Sequence, residues 1–266
     1  MNVKILEKDQ LKMMFVIEGI DITLLNAIRR ATINRVPTMA IDTVIILENS
    51  SVMYDEILAH RLGLIPLTTD LDEIRPDTTA ILKLEVKATS DNQVVYSSQL
   101  ISSDPNIKPA WNNIPIILLK KGQRIQLEAM ARLGMGSEHA KWQPLSVSAY
   151  KNMPYIEVDK ELWQKYDSKT AENIIKSCPK GVLKIVDGYP TLTNPVNCTL
   201  CKYCEDISNG AIKVYWRDNE YVYRLESTGA MPPEKVFLKA IDLLISDCRN
   251  ISSQLENLEK EVDVHG

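Results

Sequence analysis

Three of the chain's five cysteines stand at intervals of three in the stretch CTLCKYC, at Cys198, Cys201 and Cys204. This spacing places three thiolates on one tight loop, which is how iron–sulfur proteins present ligands to a cluster. A fourth ligand must come from elsewhere, and the cysteine–proline pair at Cys178 matches the distant ligand of ferredoxin-type motifs. In two-cluster ferredoxin motifs, a cysteine four residues after the third one binds the second cluster. Here that position is Ser208, so the sequence predicts one cluster.

Other uses of these thiols remain open. Zinc could take the same four thiolates, although zinc knuckles usually present two separate CxxC pairs. The thiols could also be metal-free or form a disulfide. We expect one iron–sulfur cluster held by Cys178, Cys198, Cys201 and Cys204, either [4Fe-4S] or, if Cys178 does not reach the loop, [3Fe-4S]. Cys248 is predicted to be a small buried apolar residue rather than a ligand.

The composition is that of an ordinary globular protein, with 266 residues, 45% hydrophobic, 25% charged and a net charge of −4. A chain of this length can bury a substantial core in one large or two to three small domains. The charge gives no global reason to bind nucleic acid, so we expect no direct nucleic-acid readout. No signal-peptide pattern or long apolar run is visible, which predicts a cytoplasmic chain with no membrane partner. Cysteines in such a chain favour metal or redox use.

Two elements are predicted to carry the cysteines. Asp167 or Ser168 can cap a helix that ends before the proline after Cys178, and the hairpin-like stretch GVLKIVDGYPTL leads to the cysteine loop. Two strands at 211–216 and 221–227 follow, and the turn-forming residues between them favour a second hairpin.

The earlier chain alternates between strands and helices. A strand at 15–20 ends at Asp21, a good N-cap for a helix that Pro37 stops. A strand at 43–48 and the short helix YDEILAHR follow. The middle then reads as mostly β, and its segment at 124–133 alternates cleanly between apolar and polar residues.

The chain ends in one long predicted helix, which the prolines at 232 and 233 suit as a start. Apolar residues recur along it at steps of four and three, a pattern that we call the heptad seam: Phe237, Ile241, Leu244, Cys248, Ile251, Leu255, Leu258 and Val262. Such a seam requires another helix against it. We favour a subunit interface over a purely internal helix, since the second half is polar outside the seam.

No catalytic residues are predicted. The three histidines are scattered, and no HExxH, Walker A or GxSxG motif occurs. The acidic loop at 70–73 could hold magnesium, but a solvated loop is far more common. Arg29, Arg30 and Arg35 form a basic patch on the first helix, which is either an exposed polar face or a contact for an acidic partner surface.

Four segments carry a resemblance to a known family. GIDITLLNAIRRATINRVPTMAID (19–42) resembles the signature helix of the α-like subunits of cellular RNA polymerases, and NSSVMYDEILAHRLGLIPL (49–67) resembles the segment after it in archaeal and eukaryotic forms. The similarity continues through GSEHAKWQP (136–144) and STGAMPPEKVFLKAI (227–241). The chain is similar to the larger α-like subunits of archaeal DNA-directed RNA polymerase, in their variants with a ferredoxin-like cysteine insert.

The resemblance implies an α+β fold with three parts. A discontinuous α-like dimerisation domain would combine residues 1–47 and 211–266. A β-rich domain would be inserted at 48–166, and a small ferredoxin-like iron–sulfur domain would occupy 167–210. The small domain has little core of its own, so we expect its cluster to be structural.

The resemblance also implies a function. Such subunits are non-catalytic assembly platforms of DNA-directed RNA polymerase, a nucleotidyltransferase whose catalytic aspartates lie in the largest subunit. The implied partners are the smaller α-like subunit L in a heterodimer, the two large subunits, and the small subunits N and P. The alternative is a ferredoxin-type electron carrier or redox-sensing module, which explains the thiols but leaves most of the chain without a role.

Residue roles follow from the matched motifs. Asn26, Arg29 and Arg30 on the first helix are implied to contact the second-largest subunit. The long C-terminal helix is implied to pair with subunit L through the seam residues Phe237, Ile241, Leu244, Ile251, Leu255 and Leu258.

Overall fold

The computed structural model describes residues 1–75 and 77–265, with side chains described through Asn257. The described chain divides into two compact units. The first unit comprises Met1–Leu6, Met14–Ile22 and Ala149–Arg224, and the second comprises Glu7–Met13, Thr23–Ser148 and Leu225–Gly266.

Strands and helices alternate irregularly along the chain. The strands are β1 (Asn2–Lys8), β2 (Lys12–Glu18), β3 (Thr38–Asn49), β4 (Thr79–Lys87), β5 (Gln93–Tyr96), β6 (Ile101–Ser102), β7 (Pro115–Leu119), β8 (Arg124–Gly134), β9 (Leu145–Val158), β10 (Leu183–Val186), β11 (Tyr189–Leu192) and β12 (Ile212–Ser227). The helices are α1 (Ile22–Asn34), α2 (Asp55–Gly63), α3 (Lys160–Trp163), α4 (Ser168–Lys176), α5 (Tyr203–Ile207) and α6 (Pro233–His265).

The first unit is built on a four-stranded sheet in the order β1-β2-β12-β9, with the separate hairpin β10-β11 beside the short helices. The predicted helix from Ser168 is confirmed as α4, with Asp167 at its N-cap position. The hairpin predicted for the stretch GVLKIVDGYPTL is confirmed as β10-β11. Its two-residue turn places Asp187 and Gly188 at φ of 52° and 81°, because a turn that matches strand twist requires positive φ at both central positions.

The predicted hairpin at 211–216 and 221–227 is wrong, since both segments belong to the single strand β12. Asn219 does adopt a left-handed φ of 56°, so the turn signal was real. The chain does not reverse there, because the carbonyl of Asn219 accepts a hydrogen bond from the backbone N–H of Gly19 at 2.8 Å and pairing continues. A left-handed residue here produces an irregularity inside a strand rather than a turn.

The second unit contains a four-stranded sheet in the order β3-β8-β4-β6 and the pair β5-β7. The alternation predicted for 124–133 is confirmed, with Ile125, Leu127, Ala129 and Ala131 buried on one face of β8. The matching face of β4 is also buried, so the two strands share one core. The pairings β3-β8, β4-β8, β5-β7 and β10-β11 are antiparallel, as the α+β prediction requires.

Nearly all of α1 and the whole of α6 lie in the second unit. The helix predicted after Asp21 is confirmed as α1, and Leu25, Ile28 and Thr32 are buried on one of its faces. The predicted long C-terminal helix is confirmed as α6, which begins at Pro233. None of the helices within the described ranges is both long enough and apolar enough to cross a bilayer.

Two glycines, Gly134 at the end of β8 and Gly136 in the loop after it, permit close packing. A Cβ on Gly134 would lie 2.3 Å from the Trp142 ring, which is itself flanked by the Arg132 guanidinium at 4.4 Å and the Lys141 ammonium at 4.2 Å. A Cβ on Gly136 would lie 2.1 Å from the carbonyl oxygen of Ile33 at the end of α1. A methyl group at either position therefore forces its neighbour to move.

We predict that Gly136→Ala lowers the free energy of unfolding by about 1–3 kcal/mol, the usual cost of overpacking. The new methyl group would clash with the backbone carbonyl of Ile33, which can move less easily than a side chain. Gly63→Ala is the matched control, since its nearest contact would be an ordinary 3.6 Å, and its effect should stay within about 0.5 kcal/mol. Urea unfolding of the purified variants measures both. Equal unfolding midpoints for the two variants would contradict the packing argument.

Candidate functional site

All four predicted cysteine ligands line one pocket of the first unit. Cys178 lies just after α4, where its N–H donates to the Ile175 carbonyl at 3.3 Å. Cys198 and Cys201 come from the loop that leads into α5, and Cys204 lies in the first turn of α5. The four side chains border a common space whose other walls are largely apolar. The fold thus brings the distant cysteine to the CTLCKYC loop.

The backbone of the cysteine loop has an unusual conformation. Leu200 and Lys202, which lie between the cysteines, adopt left-handed φ values of 57° and 59°. This region is sparsely populated by residues other than glycine, and a bulky residue there is a true outlier. Strain of this kind collects at functional sites, and turns that mix left- and right-handed residues orient backbone N–H groups into concavities found at many iron–sulfur sites.

The thiols influence one another electrostatically. Burial raises the pKa of the Cys204 thiol to about 11, and nearby Cys198, Cys178 and Cys201 contribute to that rise. The neutral thiol is thereby favoured at neutral pH when no cation is bound. A metal centre that binds Cys204 must therefore displace its proton, which couples binding to pH.

Lys151 on β9 supports the cysteine loop from the sheet. Its Nζ donates hydrogen bonds to the backbone carbonyls of Val196 and Cys198. Burial lowers the pKa of the Lys151 ammonium, an effect that the Cys198 thiolate opposes and Lys180 reinforces. Sequence reasoning missed this residue because β9 was not predicted, and a lysine in an unrecognised strand carries no signal of its own.

No group of three or more His, Cys, Asp or Glu side chains in the described part of the chain is arranged to hold a metal ion. The acidic loop considered for magnesium has another partner. Lys235 of α6 contacts Asp70 at 3.2 Å and Asp72 at 3.4 Å. The loop therefore serves as an ion-pair anchor within the second unit.

The heptad seam on α6 is half covered. Phe237, Ile241 and Leu244 are partly buried, whereas Ile251 and Leu255 are 59% and 56% exposed. The side chain of Leu258 lies outside the described residues, as does that of Val262. The seam thus meets the chain's own fold over its first half.

Beyond its midpoint, the described residues of α6 are not covered by the described part of the chain. Every described residue from Cys248 to Asn257 is exposed. The prediction that Cys248 is buried is wrong, because no helix among the described residues packs over the seam at this position. Leu238 and Ile245, which sequence reasoning did not single out, extend the exposed apolar surface at 54% and 41% exposure. Ile251 and Leu255, which lie one helical turn apart on the seam, form what we call the exposed stripe.

An ion pair joins α6 near its midpoint to the residue that follows α1. Arg35, just after α1, forms a two-pronged contact with Asp247, in which Nη2 donates to Oδ1 at 3.0 Å and Nη1 donates to Oδ2. The hydrogen bond from Arg35 lowers the pKa of the Asp247 carboxyl. Arg35 is thereby separated in role from the other two arginines of the predicted basic patch.

The remaining candidate residues lie on α1. Arg29 Nε donates to Asn26 Oδ1 at 3.1 Å, so this pair is ordered as one half-buried unit. Arg30 is exposed beside them. The exposed side of α1 also carries Ile22 and Leu24, at 45% and 51% exposure, so it presents both charge and apolar area.

Comparison with known proteins adds the family. Residues 14–248 match the family described as the RNA polymerase Rpb3/Rpb11 dimerisation domain. The DNA-directed RNA polymerase subunit Rpo3 of Methanosphaera stadtmanae is 39% identical over 94% of this chain and 97% of its own length. The Rpo3 proteins of Methanosarcina mazei (35%, 97% of this chain and 99% of its own length) and Pyrobaculum arsenaticum (39%, 86% of each) are also similar.

The match spans the α1 motif, most of β2, the strands from β3 to β12 and the first half of α6, and the similarity to whole relatives covers both units. The chain therefore belongs to the RNA polymerase Rpb3/Rpb11 dimerisation-domain family.

Proposed function

We propose that this chain is a non-catalytic assembly subunit of a DNA-directed RNA polymerase, which pairs through α6 with a smaller α-like subunit. The observation that carries this proposal is the exposed stripe on a helix whose chain belongs to a dimerisation-domain family. A helix segment without tertiary contacts is only marginally stable in water, so a partner helix must supply them. The alternative of a stand-alone ferredoxin-type carrier or redox-sensing module is not supported, because the family match covers residues 14–248.

The finer assignments remain part of this proposal. The smaller partner corresponds to subunit L, and the heterodimer would carry the two large subunits with the small subunits N and P. We retain the domain boundaries 1–47 with 211–266, 48–166 and 167–210, and a cytoplasmic location, as predictions.

We also propose that the cysteines hold one iron–sulfur cluster: [4Fe-4S] on Cys178, Cys198, Cys201 and Cys204, or [3Fe-4S] on Cys198, Cys201 and Cys204 if Cys178 does not bind. Each thiolate of such a cluster binds a different iron, so the thiols surround a space rather than converge on one point. Four thiols around a shared pocket and the two left-handed loop residues support this ligand set. When bound, the cluster would cross-link the loop to the end of α4 and supply a redox-active iron centre. Zinc remains the alternative occupant.

A structural role suits the region that carries the thiols. Its core of buried residues is small, formed by Trp163, Ala171, Ile174, Leu183, Ala211 and Ile212. Cys178 and Cys204 pack against that core as partly buried residues. A metal centre that joins these cysteines would supplement a core too small to stabilise the region alone.

We predict that Leu255→Asp weakens heterodimer formation by about 10–100-fold, because burying a leucine side chain contributes about 1.5–3 kcal/mol. Leu255 is exposed in the single chain, so its circular dichroism and thermal unfolding should not change. Glu256→Gln, one residue along and also exposed, is the control and should bind normally. Titration of each variant with the purified smaller subunit measures the affinity. Equal affinity for Leu255→Asp and Glu256→Gln would contradict α6 pairing.

The α1 contact generates a separate prediction. Reversing the exposed charge in Arg30→Glu should reduce recovery of the large subunits on an affinity-tagged heterodimer, while the heterodimer itself forms normally. Lys87→Glu, an equal charge change on β4, serves as the control. Recovery is quantified after co-expression of the assembly. If both variants recover the large subunits equally well, α1 is not the contact.

The cluster proposal predicts that anaerobic reconstitution with iron and sulfide gives visible thiolate-to-iron absorption. In Cys201→Ser one iron loses its thiolate ligand, so we expect the variant to lose that iron or the whole cluster. Cys248→Ser, which alters an exposed cysteine on α6, should bind iron as the wild type does. Iron and sulfide analysis with electron paramagnetic resonance distinguishes the two cluster types. Stoichiometric zinc without iron in protein purified anaerobically would overturn the assignment. Unchanged polymerase assembly by Cys201→Ser would overturn the structural role.

A further inference from the structure

A lysine outside the proposed ligand set, Lys151, holds the backbone of the cysteine loop. Lys151 is a half-buried side chain on β9, 47 residues before Cys198, and its ammonium reaches the carbonyls of both Val196 and Cys198. Partial burial of an ammonium is unfavourable unless hydrogen bonds compensate for lost water. The two carbonyls supply that compensation, so the contact joins the sheet to the loop at its first cysteine.

The two carbonyls bracket the start of the motif. Pro195–Asn197 forms a single 3₁₀ turn, and Cys198 follows it directly. One lysine that binds carbonyls on both sides of Asn197 therefore fixes the entry to the CTLCKYC loop. Charged hydrogen bonds of this kind are about twice as strong as neutral ones.

The charge around the thiols is complementary to an anionic centre. Lys180 and Lys202 line the same pocket as the four cysteines, and Lys151 approaches from the sheet. Four thiolates bound to iron and sulfide give a cluster with net negative charge, which nearby cations stabilise. A loop held only for packing would not need a half-buried cation beside its first cysteine.

We infer that Lys151 is a positioning residue for the metal centre, which holds the Cys198 end of the loop in its binding conformation and places a positive charge beside the cluster. This inference rests on the proposed cluster. Side chains outside the ligand set that orient metal ligands commonly change metal affinity by about 10–100-fold when replaced. Since reduction adds negative charge to a cluster, a neighbouring cation also raises its reduction potential.

The test uses the full-length chain, reconstituted anaerobically with iron and sulfide, in three variants. Lys151→Met removes the charge and both donated hydrogen bonds while keeping an unbranched side chain. Lys151→Arg keeps the charge and offers donors for both carbonyls. Lys213→Met, at an exposed lysine on β12, is the matched control.

We expect Lys151→Met to lose its cluster to an iron chelator about 10–100-fold faster than the wild type and to show a lower midpoint potential. Lys151→Arg should restore both properties in large part, and Lys213→Met should behave as the wild type. Bleaching of the visible absorption measures cluster loss, and dye-mediated titration measures the potential.

The outcomes separate the two proposals. If the wild type takes up no cluster, the cluster proposal fails first, and this inference fails with it. If the wild type binds a cluster and Lys151→Met retains it with unchanged loss rate and potential, Lys151 has no positioning role. If Lys151→Met changes only the thermal unfolding of the metal-free protein, and the rate of cluster loss and the midpoint potential stay as in the wild type, the inference is also overturned. That result would mean that Lys151 stabilises the fold without positioning the cluster. If Lys151→Met takes up no cluster at all, uptake by Lys151→Arg supports the inference and failure of both variants overturns it.

Discussion

A long helix with an apolar stripe imposes the constraint on which the arrangement of this chain depends. α6 has 33 residues, which gives a length of about 50 Å at the usual rise per residue. Its first half is anchored by Val236 and Ala240, which are fully buried. Its second half leaves Ile251 and Leu255 exposed, and the described part of the chain offers nothing to cover them. Burying apolar surface is the main favourable term in most protein association, so we expect a partner surface to stabilise the second half of α6.

The sequence predicted those elements whose local pattern and tertiary environment agree. β8 alternates in sequence because one face of its sheet is buried, and α6 is regular because no glycine or proline interrupts it. The β10-β11 turn was predictable because its aspartate–glycine pair suits the required φ values. In each case one local rule was sufficient to determine the element.

Where prediction failed, a distant contact determined the structure. Asn219 satisfies a turn rule, yet hydrogen bonding to the neighbouring strand keeps β12 continuous. β9 escaped prediction because Lys151, Asn152 and Pro154 break its apolar alternation. Cys248 was assigned to the interior because a heptad position is normally covered, and here the cover must come from another chain. Sequence patterns report which surfaces are apolar, but they do not report which chain buries them.

The candidate cysteine site shows the same limit. The spacing of the cysteines predicted all four thiols that line the pocket, including the distant Cys178, because metal-ligand motifs are recognised by residue type and interval. The support from Lys151 has no such signal. Its role depends on a strand that must first be placed in the sheet, and then on the loop that crosses within reach of its ammonium.

Charge and apolar area have separate roles in the second unit. Its ion pairs join elements within the unit, as in Arg35 with Asp247 and Lys235 with Asp70. Such exposed pairs contribute only about 0–1 kcal/mol each, so they add little to the anchoring that the buried residues of α6 provide. The exposed stripe, by contrast, has no role within the chain, and its burial supplies the larger free energy. A subunit built in this way holds the first half of α6 by its buried residues and leaves the second half for an apolar partner surface, as an assembly platform requires.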